Sequence, residues 1–550
     1  MSDNEIKAEA EQIAAERSAL LDPNAKATKA AWAILAAMGF GALIAQMFST
    51  VIAPALPTIQ DDLGLSLSMQ TWTITSYSLA FGTALVAGGR LGDLVGEVKM
   101  IVIGFIVFGA GLVISAIAAG GGMLVAGRAI QGIGIGLSAP ATLSIVVNSF
   151  PIRQRGLAVG TWGFAHGAGI VVGPLIGGTL TQTIGWRWVF WIAVPLTVAV
   201  ILVIIFATRG YKSVLAKGSY DIVGLIFGGI AITAITYGLQ NSTQGWGSPA
   251  TWGSIVLGIV FGVIFAIVEA KIEFPLVDFD LWKERLFSGG FFAECAVGFV
   301  YIPMLTFVGS LYFINVMGFS PIEAGYVIII TTGTAMVLQP PAGKWVDKVG
   351  PGIPIMVGLG LQAIALFWFG TLSATTTLPQ IIVPLAFMGA GVGISLPACN
   401  TAGMMAVDAK RAGMGSGLMQ MTFNIPAALG TAVVTSVVGT ISASRVLSAT
   451  DGKSFANQAV EYNAAVQAGN TSRAEGILRA SPSNTVSAIE DAVAAAQSSA
   501  IALSMVALGI AALAGVIMTL FVVGRRRTPD HIQITTAAAV EAGRTADSNT

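Results

Sequence analysis

Few ionisable side chains lie inside the long apolar runs of this sequence, and these are the residues that could do chemistry. Glu294 lies in the run FFAECAVGFV, nine residues after Arg285, which corresponds to about 13 Å along a helix. A carboxyl group in a partly apolar cavity could bind and release a proton. A fixed hydrogen bond between helices is the structural alternative for an acid in such a run.

Arg128 and His166 are the other two ionisable candidates within apolar runs. Arg128 could balance the charge of a cavity, or it could brace its own helix through carbonyl groups. The imidazole of His166 can change its charge near neutral pH, although a hydrogen-bonding role in packing is the alternative. We therefore name Glu294, Arg128 and His166 as the candidates for proton exchange.

The elements that must position these residues are membrane-spanning helices. The chain has 550 residues, of which 55% are hydrophobic and only 10% are charged, whereas soluble domains carry about 25% charged residues. A helix needs about 20 apolar residues to cross the hydrocarbon core. Fourteen runs meet that need: 32–56, 71–89, 98–118, 122–148, 157–181, 188–208, 220–240, 251–270, 287–313, 321–343, 352–372, 379–405, 413–441 and 498–523.

The basic residues predict the orientation of these spans. Most of the 28 Lys and Arg residues fall in alternate connecting segments, which the positive-inside rule places in the cytoplasm. The exceptions outside the spans are Arg187 and four residues of the long segment 442–497, which is expected to be a helical hairpin outside. We expect a multi-pass inner-membrane protein with both termini in the cytoplasm.

The chain divides into two halves and an insertion. The expected parts are a cytoplasmic segment 1–31, a six-helix half 32–208, two inserted spans with linkers 209–286, a second six-helix half 287–523 and a cytoplasmic tail 524–550. Residues 1–30 have no apolar centre and are not expected to be a signal peptide. The predicted fold class is therefore an all-α polytopic membrane protein.

An internal repeat relates the two halves. The pattern Gly-x-Gly-x-Gly-x-Ser-x-Pro begins at Gly132 and again at Gly389, 257 residues later. A second pattern, Gly-x-x-x-Asp-x-x-Gly, begins at Gly89 and again at Gly343, 254 residues later. Parallel halves of this kind are found in transporters in which one half rocks against the other around a central site.

Two aspartates of the second pattern could hold one face of the molecule shut. Asp93 and Asp347 lie at the predicted cytoplasmic ends of their spans, where they could interact with a helix N-terminus or with loop arginines. Turn capping is the simpler alternative. The residues assigned to this conformational latch are Gly89, Asp93, Gly96, Arg155 and Asp347, and Arg153, Lys348 and Arg411 are further basic partners.

Four segments resemble motifs of the major facilitator superfamily, and of its fourteen-span drug:proton antiporters in particular. They are GGRLGDLVGEVK (88–99), RAIQGIGIG (128–136), GFAHGAGIVVGPLIGG (163–178) and WRWVFWIAVP (186–195). The resemblance implies a major facilitator fold of two six-helix halves plus two inserted helices. It also implies that a thin helix face, typical of antiporters that export, is formed by Gly163, Gly167, Gly173, Pro174, Gly177 and Gly178.

The sequence departs from these motifs at several positions. The family's first loop has basic residues where this chain has Leu94, Glu97 and Val98. Drug exporters often carry an aspartate in span 1 where this chain has Phe48. The resemblance further implies that adaptable aromatic and methionine side chains line a substrate cavity. The candidates are Phe48, Tyr77, Trp162, Tyr301, Met336, Met419 and Phe423.

The leading functional hypothesis is proton-coupled export of an amphipathic drug-like or endogenous small molecule. Export of a lipid or lipid precursor and a non-transporting sensory or structural role are the alternatives. The chain contains no Gly-x-x-x-x-Gly-Lys-Ser/Thr loop and no His-Glu-x-x-His or Gly-x-Ser-x-Gly motif, so neither a primary pump nor an enzyme is expected. The expected partners are the substrate, protons and membrane lipids; we expect a monomer, with no cofactor, metal or nucleic acid.

Overall fold

The computed structural model describes residues 25–524 apart from 214, 217–220, 242–246, 273–274 and 468–470. All regular elements in this part of the chain are helices, which confirms the all-α prediction. A bilayer offers no hydrogen-bond partners to the backbone, so an apolar chain that enters it must pair its N–H and C=O groups within helices. The expected segment 1–31 and tail 524–550 lie almost entirely outside the described residues.

The helices fall into two halves with a hairpin between them. The first half contains α1 (Lys29–Thr50), α2 (Leu56–Leu63), α3 (Leu67–Val95), α4 (Glu97–Ala116), α5 (Gly121–Ser149), α6 (Arg155–Thr183) and α7 (Arg187–Ala207). The inserted hairpin contains α8 (Ile222–Asn241) and α9 (Pro249–Glu269). The second half contains α10 (Arg285–Thr306), α11 (Pro321–Val349), α12 (Gly352–Phe369), α13 (Leu378–Met405), α14 (Ala412–Thr450), α15 (Ala456–Gln467), α16 (Thr471–Ala480) and α17 (Val486–Val522).

Each of the fourteen predicted spans coincides with a long helix of the described chain. Eleven helices are long and apolar enough to cross a membrane; the other three are α3, α8 and α11. Helix α8 is apolar over the shorter stretch Val223–Leu239. The chain is a multi-pass membrane protein, and the exact count of fourteen spans stays a prediction.

Local chemistry moves several helix boundaries away from the predicted ones. Helix α1 ends at Thr50, and the chain continues through a short 3₁₀ turn that contains Pro54. The ring of a proline cannot donate a backbone hydrogen bond, so the chain bends there. Predicted span 9 continues beyond α10 as a π-helical stretch, Phe307–Val316.

The segment 442–497, predicted to be a helical hairpin, contains parts of four helices. Helices α14 and α17 extend into it from both ends, with lengths of 39 and 37 residues, or roughly 55 Å each at 1.5 Å per residue. Two short helices, α15 and α16, lie between them. Helix α15 packs on α14 and α17 around a polar core, in which Asn463 and Gln467 donate to Ser442 Oγ and Gln497 donates to Asn463.

The internal repeat is visible in the backbone. Ser66 and Ser320, 254 residues apart, cap α3 and α11, and each hydroxyl accepts a hydrogen bond from the N–H group three residues later. Gly96 and Gly350, also 254 residues apart, end the same two helices with positive φ angles of 102° and 84°. Glycine tolerates this conformation because it has no Cβ.

Two helix pairs make the largest contacts between the halves, and each half has its own core. The first core contains Phe105 and Phe108, and the second contains Phe313 and Phe369. The halves meet where α3 packs against α14 and where α6 packs against α11. We call these contacts the α3–α14 seam and the α6–α11 seam. The inserted helix α8 lies over the first seam only.

Candidate functional site

A cavity of ≈ 380 Å³ lies between the two halves, within the range of small-molecule sites. Helices α1, α3 and α6 line it from the first half, and α10, α11, α13 and α14 line it from the second. Because both halves contribute to its wall, a change in their relative orientation would change the cavity. This is the site that the internal repeat predicts.

Glu294 lies in the wall of this cavity and is 3% exposed. Its Oε1 accepts a hydrogen bond of 3.0 Å from Asn400 Nδ2, while its Oε2 is buried without a partner among the described residues. Glu294 is the one carboxylate among the described residues of the lining. A buried carboxyl group in a cavity wall, with one oxygen held and the other without a partner among the described residues, is a candidate for proton exchange.

His166 lies across the same cavity, on the first half. Its ring contacts that of Trp162, with the ring centroids 5.4 Å apart. The structure therefore brings Glu294 and His166 to one cavity from opposite halves. The proton-exchange role of both residues remains a prediction.

Arg128 is separate from the cavity lining and is fully buried in the first half. Its guanidinium donates to the carbonyl of Phe48 at 3.0 Å, to Oε1 of Gln131 at 2.8 Å and to the carbonyl of Thr73 at 3.3 Å. It also lies 4.3 Å above the centre of the Tyr77 ring. Since Tyr77 lines the cavity, Arg128 reaches the cavity only through that ring.

Five of the seven predicted cavity side chains line the cavity: Tyr77, Trp162, Tyr301, Met336 and Phe423. Phe48 and Met419 lie outside the lining. The Phe48 ring packs edge-on against Phe108 in the core of the first half, with centroids 5.5 Å apart. Met419 is fully buried in a cluster that contains Met414 and Leu418. Both side chains are on the expected helices, but they point away from the space between the halves.

The sequence analysis missed the amide side chains of the cavity, which are Gln46, Gln339, Asn400, Gln420 and Asn424. Asn400 Oδ1, Gln420 Nε2 and the indole Nε1 of Trp162 are buried without partners among the described residues. Such atoms need a ligand or water to satisfy them. The sequence signal for these residues is an amide side chain inside an apolar run, which is less conspicuous than a charged or aromatic side chain.

Asp93 connects the halves at the α3–α14 seam. Its two carboxylate oxygens accept hydrogen bonds from the backbone N–H groups of Gly413 and Met414, at 2.7 and 2.9 Å. These N–H groups belong to the first turn of α14, where a helix leaves its donors unpaired and its dipole is positive. A Cβ on Gly89 would clash with the carbonyl of Gly413, so glycine is required for this close approach.

Asp347 makes the equivalent connection at the α6–α11 seam. Its oxygens accept from the N–H groups of Gly156 and Leu157, at 2.7 and 2.8 Å, in the first turn of α6. We define the latch as Asp93 and Asp347 with these four N–H groups, and the latch face as the end of the molecule where they lie. The structure thus shows the latch closed.

The predicted basic partners play a different part. Arg411 pairs with Asp278 in the segment before α10, and Arg155 Nε donates to the carbonyl of Phe150 at 3.5 Å. Both aspartates are held by helix N-termini instead, because two parallel N–H groups fit a carboxylate without the entropy cost of ordering a long side chain.

The glycines of α6 serve two different contacts. At the level of the cavity, Gly163 and Gly167 lie against Gln339 and Met336 of α11, across the seam. Farther along, Gly173 and Gly177 lie against α1, where an added Cβ would clash with backbone or side-chain atoms of Thr50 and Val51. Gly178 meets only Pro54, at an ordinary 3.7 Å from the ideal Cβ position, and Pro174 lies within the helix. The small residues of α6 therefore form a thin helix face, which packs against α11 in one part and against α1 in another.

Comparison with known proteins agrees with this architecture. The Major Facilitator Superfamily model matches residues 38–431. The tetracenomycin C resistance and export protein of Streptomyces glaucescens is 31% identical over 420 residues, which cover 76% of each chain. The multidrug resistance protein Stp of Mycobacterium tuberculosis is 27% identical over 406 residues, covering 74% of this chain and 75% of its own.

Among solved structures, the human organic anion transporter MFSD10 (TETRAN) matches with a TM-score of 0.59. The match covers 89% of this chain and 99% of that one, at 13% sequence identity. At this identity the likeness concerns the fold alone. It confirms the expected fold of two helical halves.

Proposed function

This chain belongs to the major facilitator superfamily, and we propose that it is a proton-coupled exporter of amphipathic small molecules. The observation that carries the proposal is Glu294, whose Oε2 is buried without a described partner in the wall of the cavity between the halves. A proton-driven antiporter needs one site that is occupied alternately by a proton and by its substrate. Glu294 can serve as this shared site because it lies in a cavity that both halves line.

The cavity wall supports an amphipathic substrate. Tyr77, Trp162, Tyr301 and Phe423 offer aromatic surface, and the Tyr301 and Phe423 rings lie 6.4 Å apart. The amides of the lining offer several hydrogen-bond donors and acceptors. A mostly apolar wall with a few polar groups is typical of small-molecule sites. The names of the two bacterial relatives, which refer to export and drug resistance, support the same direction and substrate class.

The transport cycle follows from the closed latch. We infer that the latch face is cytoplasmic, so that the closed latch belongs to a state in which the substrate leaves on the opposite side. Proton binding at Glu294 would then accompany the return to a state open to the cytoplasm, where Asp93 and Asp347 release their N–H groups. His166 faces the same cavity and is the second candidate for holding the proton. The protein is proposed to work as a monomer, since both halves of the cavity come from one chain.

Purified protein in liposomes tests this function. Movement of rhodamine 6G and of a fluorescent phosphatidylethanolamine is followed with and without an imposed pH gradient. We expect the dye to move against its gradient only when the pH gradient is present. Gradient-driven movement of the lipid alone would favour the lipid-export alternative, and movement of neither would contradict the proposal.

A further inference from the structure

Glu97 is a buried carboxylate for which the transport cycle proposed above has no use. It is the first residue of α4, directly after Gly96, and it is 4% exposed. The superfamily resemblance leads one to expect a basic residue in this loop, so the acid is a feature of this chain. Burial of a carboxylate is costly unless several donors satisfy it.

Three donors from two other parts of the chain meet the Glu97 carboxylate. On α5, Ser144 Oγ donates to Oε1, and Asn148 Nδ2 donates to the same oxygen at 3.3 Å. From the linker after α7, the hydroxyl of Tyr211 donates to Oε2 at 2.7 Å. Hydrogen bonds to a charged group are the stronger ones. Glu97 therefore ties the start of α4 both to α5 and to the linker that leads into the inserted hairpin.

The same linker also forms a hydrogen bond with the backbone of Asp93. The backbone carbonyl of Asp93 accepts a hydrogen bond of 2.8 Å from the N–H of Ala216. The side chains of Ser213 and Leu215 lie beside Gly96, 3.7 Å from its ideal Cβ position. Asp93 is thus fixed on two sides, with its carboxylate on α14 of the second half and its carbonyl on the linker.

Among the described residues, the second latch has no such arrangement. The repeat places Pro351 at the position of Glu97, and Thr401 and Met405 at those of Ser144 and Asn148. Proline has no side-chain acceptor. The first half therefore has the Glu97 contacts, at the latch beside the inserted hairpin, and the equivalent positions of the second half cannot form them.

We propose that Glu97 is a positioning residue of the Asp93 latch: through Ser144, Asn148 and Tyr211 it fixes the α3–α4 loop and the linker so that Asp93 stays aimed at the N-terminus of α14. The inserted hairpin is then coupled to the α3–α14 seam, and the two latches of the molecule open with unequal ease. The proposal rests on the latch as part of the proposed transport cycle.

Hydrogen exchange of the full-length protein in lipid nanodiscs tests the proposal without relying on transport. The amides of Gly413 and Met414 are protected by Asp93, and those of Gly156 and Leu157 are protected by Asp347. We expect Glu97→Ala to raise exchange at 413–414 by about tenfold, the effect of losing a charged hydrogen bond, and to leave 156–157 unchanged. Glu97→Gln, which keeps the size and an acceptor oxygen, should restore protection to near the parental level.

Tyr211→Phe removes a single donor and should raise exchange at 413–414 by a smaller factor, which provides a second test should Glu97→Ala fail to insert. Unchanged exchange at 413–414 in Glu97→Ala and Tyr211→Phe would overturn the proposal. An equal rise at both latches would also overturn it, because Glu97 would then support the fold in general. Failure of the liposome experiment above would leave these exchange rates as they are, so the two failures are distinguishable.

Discussion

Arg128 is a fully buried charged side chain that contacts three helices of the first half, while its Nη2 has no partner among the described residues. Its guanidinium reaches carbonyl groups of Phe48 on α1 and Thr73 on α3, and the side chain of Gln131 on its own helix. It also lies over the Tyr77 ring. The planar guanidinium thus connects α1, α3 and α5 at one point. Through the Tyr77 ring it also supports one wall of the cavity.

Arg128→Lys should therefore lower stability while leaving proton coupling in place. A lysine keeps the charge but cannot reach three acceptors from one planar group, so we expect a loss of about 2–3 kcal/mol. Thermal unfolding in detergent measures the stability, and pH-driven dye efflux in liposomes measures the coupling. Tyr77→Phe retains the ring beneath Arg128 but loses the hydrogen bond from the hydroxyl to the Ala45 carbonyl, so as the control it should lose only about 1 kcal/mol. Parental stability with lost coupling in Arg128→Lys would instead assign Arg128 a direct part in proton exchange.

Single residues of the site could be predicted from the sequence only where their type is unusual for a membrane helix. Glu294 and His166 stand out among apolar neighbours, and the structure brings both to the cavity. Asn400 is less conspicuous, although it holds the Glu294 carboxyl. Phe48 and Met419 were assigned to the cavity because of their helices, but the rotational position of a helix depends on packing partners that a nearly uniform apolar run does not reveal.

Helix α6 is the element that links the cavity, the latch and the core of the first half. Its first turn donates to Asp347, its middle lines the cavity through Trp162 and His166, and its far end packs closely on α1. Small residues permit such close approach between membrane helices. A tight α1–α6 contact would keep ions from leaking beside the cavity.

Substitution of two neighbouring glycines on α6 tests that contact. In Gly177→Ala the new Cβ would clash with the carbonyl of Val51, so α1 and α6 must separate. We expect a loss of about 1–3 kcal/mol, the usual result of overpacking, and a faster proton leak in liposomes. Gly178→Ala is the matched control, since its Cβ meets only Pro54 at 3.7 Å, and it should behave like the parent. Equal behaviour of both variants would remove the sealing role from α6.

The helices themselves could be predicted well because uninterrupted apolar runs in a bilayer have one available conformation. The ends could not. Residues such as Ala456–Gln467 and the outer turns of α14 lie in segments of mixed polarity, where tertiary contacts such as those of Ser442 with Asn463 and Gln467 decide the structure. A helix N-terminus was one of the two latch partners expected from the sequence, but which helix supplies it could not be predicted, because backbone N–H groups carry no sequence signal.

In the described part of the chain, two helical halves, each with its own core, meet mainly along two seams, and the cavity that contains Glu294 lies between them. At the latch face, two carboxylates accept hydrogen bonds from four backbone N–H groups, each of which belongs to the half opposite its carboxylate. Because charge on a helix N-terminus is stabilised by fractions of a kcal/mol to about 2 kcal/mol, such a latch can be broken and reformed in every cycle.

The orientation of the molecule can be tested by labelling introduced cysteines in intact cells. Glu475 on α16 and Arg153 before α6 are both exposed, and they lie near opposite faces. A membrane-impermeant maleimide should label Glu475→Cys in intact cells and Arg153→Cys only after the membrane is opened. Labelling of Arg153→Cys in intact cells would contradict a cytoplasmic latch face and the fourteen-span topology.

The exchange of a proton and a substrate at Glu294 is the central claim, and the Glu294→Gln variant tests it most directly. Glutamine keeps the size of the side chain and can still accept from Asn400, but it cannot carry the exchangeable proton. Net efflux of rhodamine 6G driven by a pH gradient is measured in liposomes beside equilibrium binding of the same dye. We expect efflux to fall to the level of empty liposomes, binding to stay within about threefold of the parent and to lose its dependence on pH, and Glu294→Asp to keep partial efflux. Efflux by Glu294→Gln against the dye gradient at the parental rate would contradict the account.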